Sequence, residues 1–244
     1  MKINVLLSPL NADELFFTGK TTVVIDVLRA TTVINYAFSN GAKEIVPVGS
    51  IDFAMKISSS THGGQTLLCG ERNTKIIEGF NLGNSPQDYT QEIVEGKSII
   101  FFTTNGSKSI VRAKFSENLI TCSFNNLSAV AKYLVNLDED IQILCSGSNG
   151  MYCIEDTSCA GNLIKEIMTL KEGVFLSDAA RSCIAIYTEF AGNVENMLNE
   201  CEHGKKLIEN GFQDDVKYCA DINNIEIVPV FSNGVLKVSP SIPA

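Results

Sequence analysis

Short apolar runs, each leading into a polar turn and then a helically spaced pattern, recur along the first two thirds of the chain. One run from about residue 22 ends at Val27 and contains Asp26; apolar positions between 30 and 39 then follow helical spacing and stop at Asn40-Gly41, a pair suited to ending a helix. A strand from Glu44 to Val48 follows. The same order returns in Ser98–Phe102, the turn Thr103–Ser107, a helix to about Phe115 and a strand from Asn118 to Cys122, with a further helix near 125–136. A third unit runs through Ile141–Cys145, the turn Ser146–Gly150 and a helix from near Thr157. Strands that are apolar throughout belong to sheets covered on both faces. The expected fold is therefore three-layer α/β/α around a mostly parallel or mixed sheet. The matching order of the first two units suggests an internal duplication.

Between Gly70 and Thr90 the pattern lapses, with three glycines flanked by Phe80 and Leu82. A loop of that length inside a domain is usually functional, and its apolar residues predict an ordered wall or lid. Its end reads as a helix start, with Ser85 as cap and Pro86 at the first helical position. From Glu155 to Gly211 the pattern is helical, with breaks near Glu172-Gly173, Gly192-Asn193 and His203-Gly204. Strand character returns at Ile225 to Phe231, and Asn233-Gly234 predicts a hairpin into Val235 to Val238, placed at an edge of the sheet. The whole forms one domain over residues 1–244, divisible into a strand–helix part, 1–150, and a helical part with closing strands, 151–244.

Composition narrows the chemistry. A hydrophobic content of 45% with 19% charged residues suits a globular protein, and no apolar run approaches the roughly 18 residues of a membrane span. The first residues read as a strand rather than a signal peptide, so a cytoplasmic location is expected. A net charge of −9 argues against nucleic acid or an anionic membrane as partner. The eight cysteines contain no Cys-x-x-Cys, and buried reduced thiols explain their scatter, leaving little reason to expect zinc. Only His62 and His203 supply imidazoles. A twofold homodimer is the default assembly.

Candidate chemistry gathers at strand ends, where open α/β sheets keep their ligands. Asp26 and Arg29 stand three apart where a buried strand meets a helix. They can serve a metal ion and a phosphate, or form an ion pair that locks strand to helix. Glu71 and Arg72 repeat the pairing after Thr66–Cys69. The turns Thr103-Thr104-Asn105-Gly106-Ser107 and Ser146-Gly147-Ser148-Asn149-Gly150 offer amides and hydroxyls to an oxyanion, or simply cap their helices. Glu155 and Asp156 lie where N-capping alone places acids. Arg181, three residues after Asp178 on a helix, is either an anion reader or half of a surface ion pair. An Asp-x-Asp motif fails at Leu28, and a cysteine phosphatase loop on Cys145 fails at Met151. Metal assistance by carboxylates is the route that remains.

Asp26-Val27-Leu28-Arg29-Ala30-Thr31-Thr32, Gly70-Glu71-Arg72, Gly79-Phe80-Asn81-Leu82-Gly83-Asn84-Ser85-Pro86 and Thr103–Ser107 together resemble the 2-phosphosulfolactate phosphatase family. The likeness extends over the chain through Cys145-Ser146-Gly147 and Glu155-Asp156. It implies a magnesium-dependent phosphatase that hydrolyses 2-phospho-3-sulfolactate in coenzyme M biosynthesis, with a three-layer α/β fold. On that resemblance Asp26 and Glu71, with Glu155 or Asp156, would hold Mg2+. Arg29, Arg72 and the turn Thr103, Thr104, Asn105, Gly106, Ser107 would hold the phosphate. Asn84, Ser85, Ser146 and Gly147 would complete the substrate site, and Arg181 would read the sulfonate or carboxylate. A phosphatase of another phosphorylated hydroxy acid and a non-catalytic binder of anionic metabolites are the competing readings.

Overall fold

The computed structural model describes residues 1–60 and 65–239, so His62 lies outside the described residues. The first part of the chain forms β1 (Lys2–Leu6), β2 (Thr21–Ile25), α1 (Ala30–Ser39), β3 (Glu44–Pro47), α2 (Ile51–Ser60), β4 (Thr66–Arg72), β5 (Lys75–Ile76), α3 (Gln91–Val94), β6 (Ser98–Phe102), α4 (Gly106–Arg112) and β7 (Asn118–Cys122). It continues through α5 (Leu127–Leu137), β8 (Ile141–Cys145), α6 (Ile154–Leu170), β9 (Phe175–Leu176), α7 (Asp178–Phe190), α8 (Val194–Glu200), α9 (Glu202–Glu209), α10 (Gln213–Cys219), β10 (Pro229–Ser232) and β11 (Val235–Val238).

All of these strands belong to one sheet in the order β5-β4-β6-β3-β11-β10-β7-β2-β8-β1-β9. It comprises two parallel blocks, β4-β6-β3 and β7-β2-β8-β1-β9, joined by the antiparallel hairpin β10–β11. The hairpin around Asn233-Gly234 forms as expected, but it lies in the middle of the sheet rather than at an edge. Its strands pair outward to β7 and β3, so their free backbone groups are met on both sides, which no edge position provides. Three successive antiparallel pairings across the hairpin leave the two blocks running in opposite senses. Accordingly β2–α1–β3 and β6–α4–β7 each cross from one block to the other, with β2 beside β7 and β3 beside β6.

Helices cover both faces, which makes the architecture three-layer α/β/α. Along β2, Val23 and Ile25 enter a core shared with α5, α6 and α7, whereas Val24 enters a second core with α1 and α4. All three are fully buried, each contributing about 1.5–3 kcal/mol. This double burial is why the strand reads as apolar without alternation. A third core under α2 takes Ile100 and Phe102 of β6. Helix α6 lies tight against α7 at Gly161, where a Cβ would stand 2.1 Å from the Cys183 carbonyl oxygen.

Three local expectations are corrected. Ser85 caps no helix: only a 3-10 turn, Pro86–Asp88, follows it, because its hydroxyl donates to Asp215 at 2.5 Å instead. Helix α6 starts at Ile154 rather than near Thr157, which puts Glu155 and Asp156 inside its first turn. The break expected at His203-Gly204 falls at Cys201, whose thiol accepts from the Gly204 amide and so caps α9. The wall expected between Gly70 and Thr90 is ordered: Phe80 is buried, and Asn81 exchanges bonds with Leu68 through its amide at 2.7 Å and its side-chain oxygen at 2.8 Å.

Candidate active site

The chain leaving β2 meets the chain leaving β6 at Gly106. A Cβ there would stand 2.5 Å from Ala30 Cβ and 2.6 Å from Asp26 Oδ2, so glycine is what allows the two segments to touch. Asp26 is buried and set by its own turn. Its Oδ1 accepts from the Ala30 amide at 3.0 Å, and its amide donates to Thr31 Oγ1 at 3.1 Å. Oδ2 lies on the Gly106 side, and Asp26 lines the cavity. Burial pushes the Asp26 carboxyl up to about 6; nearby His203 and the Ala30 amide pull it back, while Glu71 and Glu155 push it further up.

Three other buried carboxylates lie near it. Glu71, at the end of β4, accepts from the Thr104 amide at 2.7 Å and the Thr74 amide at 2.8 Å, one oxygen each. Asp156 accepts from the Val27 amide and the Gly147 amide, both at 2.9 Å, and so ties the β2 exit to the third turn. Burial raises its carboxyl well above the ordinary range, and Asp26 and Glu155 add to the effect. Glu155 shares one oxygen with His203 Nδ1 at 3.2 Å. Four acids, each less than a tenth exposed, thus lie around the exit of β2: Asp26 and Glu71 line the cavity, and Glu155 and Asp156 act on Asp26 or its turn from the start of α6.

The Thr103–Ser107 turn is braced internally. Ser107 Oγ accepts from the Thr103 amide at 2.8 Å, Thr103 Oγ1 accepts from the Ser107 amide at 2.9 Å, and the Ser107 hydroxyl donates to Val48 O. Asn105 Oδ1 accepts from the Asn149 amide at 2.9 Å and links this turn to the third one. The hydroxyls of Thr74 and Thr104 and the side-chain oxygen of Asn84 are buried with no partner among the described residues, and all three residues line the cavity. Buried polar atoms are ordinarily paired; here the two hydroxyls can donate to a ligand oxygen, whereas the Asn84 side-chain oxygen can only accept from a ligand donor. Ser146 Oγ is buried and unpaired as well, while Gly147 contributes its amide to Asp156.

The arginines divide. Arg29 lines the cavity, yet its guanidinium is committed elsewhere: it forms a buried ion pair with Asp215, donates to Thr74 O at 3.2 Å and lies 4.2 Å from the Phe212 ring centroid. Arg72 is exposed, on the rim of an adjoining cavity. Arg181 is exposed on α7 and is not among the residues that line the Asp26 cavity.

Sequence reasoning missed the contribution of α9 and α10. His203 and Lys206 line the cavity, and Asp215 holds both Arg29 and Ser85. The only signal of this kind in the sequence was the rarity of histidine. Zinc was unexpected from the cysteine spacing, yet Cys153, Glu155 and His203 bring ligand atoms within 4.8 Å of one another. The eight thiols are all free and buried, as anticipated.

Residues 9–234 match the family model described as 2-phosphosulpholactate phosphatase. A Clostridium perfringens (strain SM101 / Type A) protein named "Probable 2-phosphosulfolactate phosphatase" is 40% identical over 243 residues, 99% of this chain and 98% of that protein. Proteins of the same name from Thermotoga petrophila and Caldanaerobacter subterraneus subsp. tengcongensis are 39% and 37% identical, over 96% and 90% of this chain and 96% and 91% of their own lengths.

Proposed function

This chain belongs to the 2-phosphosulpholactate phosphatase family of phosphoric monoester hydrolases, and on that premise we propose that it hydrolyses 2-phospho-3-sulfolactate to 3-sulfolactate and phosphate with the help of magnesium. The observation that carries the reading is a cavity lined by the buried carboxylates Asp26 and Glu71 together with Thr74 and Thr104, whose buried hydroxyls have no partner among the described residues.

The residues fit a hard divalent cation. Asp26 and Glu71 line the cavity, with Glu155 and Asp156 buried beside them, against Lys206 and His203, Arg29 being neutralised by Asp215, and hard cations take oxygen ligands. Glu71 and Asp156 spend both oxygens on backbone amides. Asp26 and Glu155 each retain an oxygen free of them and would hold the ion. Bound there, magnesium would neutralise phosphoryl charge and lower the pKa of a coordinated water.

This chain's own groups perform the rest. The Thr74 and Thr104 hydroxyls orient the phosphoryl oxygens, while the Asn84 side-chain oxygen accepts a hydrogen bond from the attacking water. Water adds to phosphorus and the ester oxygen leaves. With Nδ1 engaged by Glu155, His203 has Nε2 left to protonate the departing alkoxide. Asp26 must be ionised for either of its duties, ligand to the cation or acceptor of the proton from the attacking water. Asp215 keeps Arg29 and Ser85 in place behind the site.

The test is phosphate release from 2-phosphosulfolactate and from 2-phospholactate, each with magnesium and with chelator. Release that requires magnesium and prefers the sulfonate is expected. Equal release with chelator removes magnesium from the mechanism; release from neither substrate removes this function.

A further inference from the structure

The cavity that holds Asp26 continues into a second one beside β4 and α4, and Asn73, Thr104 and Asn149 line both. The two chambers differ in charge. Asp26 and Glu71 stand in the wall of the first with His203 and one lysine, Lys206, while Arg29 is turned to Asp215, so acids outnumber the uncompensated permanent cations there by two to one. Arg72 and Lys108 stand in the second against one acid, Asp52.

Neither cation of the second chamber has a carboxylate partner among the described residues. Lys108 instead lies over the Phe102 ring, 5.5 Å from its centroid. Successive residues of a strand point to opposite sides. Glu71 faces Thr104 and the catalytic cavity, so Arg72, next along β4, is directed to the neighbouring chamber. In a chain with a net charge of −9, two exposed and unpaired cations one chamber away from the reacting centre form a local site for an anion.

Resting on the phosphatase reading above, we propose that this second chamber is the subsite for the substrate's sulfonate, and that Arg72 and Lys108 set the preference for it. A sulfonate stays singly charged at every working pH, so its recognition calls for permanent cations rather than a titrating partner. A guanidinium fork meets two of its oxygens, and an ammonium supplies a point charge to the third. Thr104, shared by both chambers, lies between the phosphate and this group. The subsite takes the place that sequence reasoning gave to Arg181.

The experiment compares wild type with Arg72→Gln, Lys108→Gln and Lys108→Arg, using 2-phosphosulfolactate and 2-phospholactate. The ratio of kcat/KM between the two substrates should fall roughly tenfold to a hundredfold in each Gln variant, the size of a lost charged hydrogen bond, mainly through KM. Lys108→Arg should keep most of the ratio. A ratio unchanged in both Gln variants, or an equal fall on both substrates, overturns the subsite. Calorimetric binding of 3-sulfolactate against lactate, in wild type and Lys108→Gln, reads the subsite without turnover. Binding that prefers the sulfonate in wild type and loses that preference in Lys108→Gln supports it even in a protein that releases no phosphate, in which case only the phosphatase reading fails. Equal binding of the two by wild type overturns the subsite.

Discussion

Arg29 and Asp215 stand 186 residues apart in sequence and form a buried ion pair directly behind the catalytic cavity. Asp215 completes its bonding with the hydroxyl of Ser85, and Phe212 covers the guanidinium. The pair fastens α10 to the exit of β2 and to the wall loop at once. Two nitrogens of this guanidinium are engaged, by Asp215 and by Thr74 O, while Arg29 still lines the cavity.

Removing one member of this pair leaves a buried charge without its counterpart, at a cost of about 3–5 kcal/mol. Asp215→Asn should therefore lower Tm by roughly 6–20 °C for a chain of this size. Replacing both, as Arg29→Met with Asp215→Leu, should recover much of that loss, as read by calorimetry. A fall of Tm in the double variant as large as the sum of the two single ones would show that the pair is not what holds these segments.

Asp26→Asn should abolish turnover, by roughly a hundredfold or more, and yet stabilise the protein when metal is chelated. The sign follows from linkage. The folded carboxyl titrates at about 6 against an ordinary 3.8, so the folded state binds this proton more tightly than the unfolded one. Its contribution is neutral below about pH 4 and becomes unfavourable as pH rises to 6, reaching at most about 3 kcal/mol. With chelator at pH 8 the Asn variant should melt about 5–10 °C higher than wild type, and the gap should close near pH 4. A lower Tm for the variant at pH 8 would contradict the burial account.

Gly106→Ala separates position from chemistry. The added methyl would press on Ala30 Cβ and Asp26 Oδ2, so kcat should fall by about tenfold or more, a displacement of the reacting geometry, while every ionisable group is kept. Circular dichroism and Tm should show a folded protein. Full activity would mean that Asp26 tolerates movement and does not act at a fixed place.

His203→Gln tests the proton delivered to the leaving group. With a poor leaving alkoxide kcat should drop roughly 10²–10⁴-fold, whereas p-nitrophenyl phosphate, whose phenolate departs without a proton, should lose much less. Equal losses on both would assign His203 to holding Glu155 rather than to proton transfer.

Apolar runs, glycine-bearing turns and helix stops are local, and they carried much of the element order, with β2, β6, β7 and β8 placed to within a residue or two and Asp26, Glu71 and Thr103–Ser107 at the strand ends. Those residues line the cavity or brace its walls because a turn after a buried strand has few other places to go. Tertiary structure alone decided the rest. The hairpin reads as a hairpin from Asn233-Gly234, but its insertion between two opposed parallel blocks depends on which edges were left unpaired. Arg29 and Arg72 sit in equivalent acid–arginine motifs, and only the arrival of Asp215 from a distant helix commits one of them and leaves the other open. His203 and Lys206 lie on an amphipathic helix whose sequence gives no sign of the cavity it faces, since that depends on packing across the whole chain. Arg181 shows the converse: an Asp and an Arg three apart look alike on paper wherever the helix lies, and here the helix keeps that arginine exposed, outside the lining of the site.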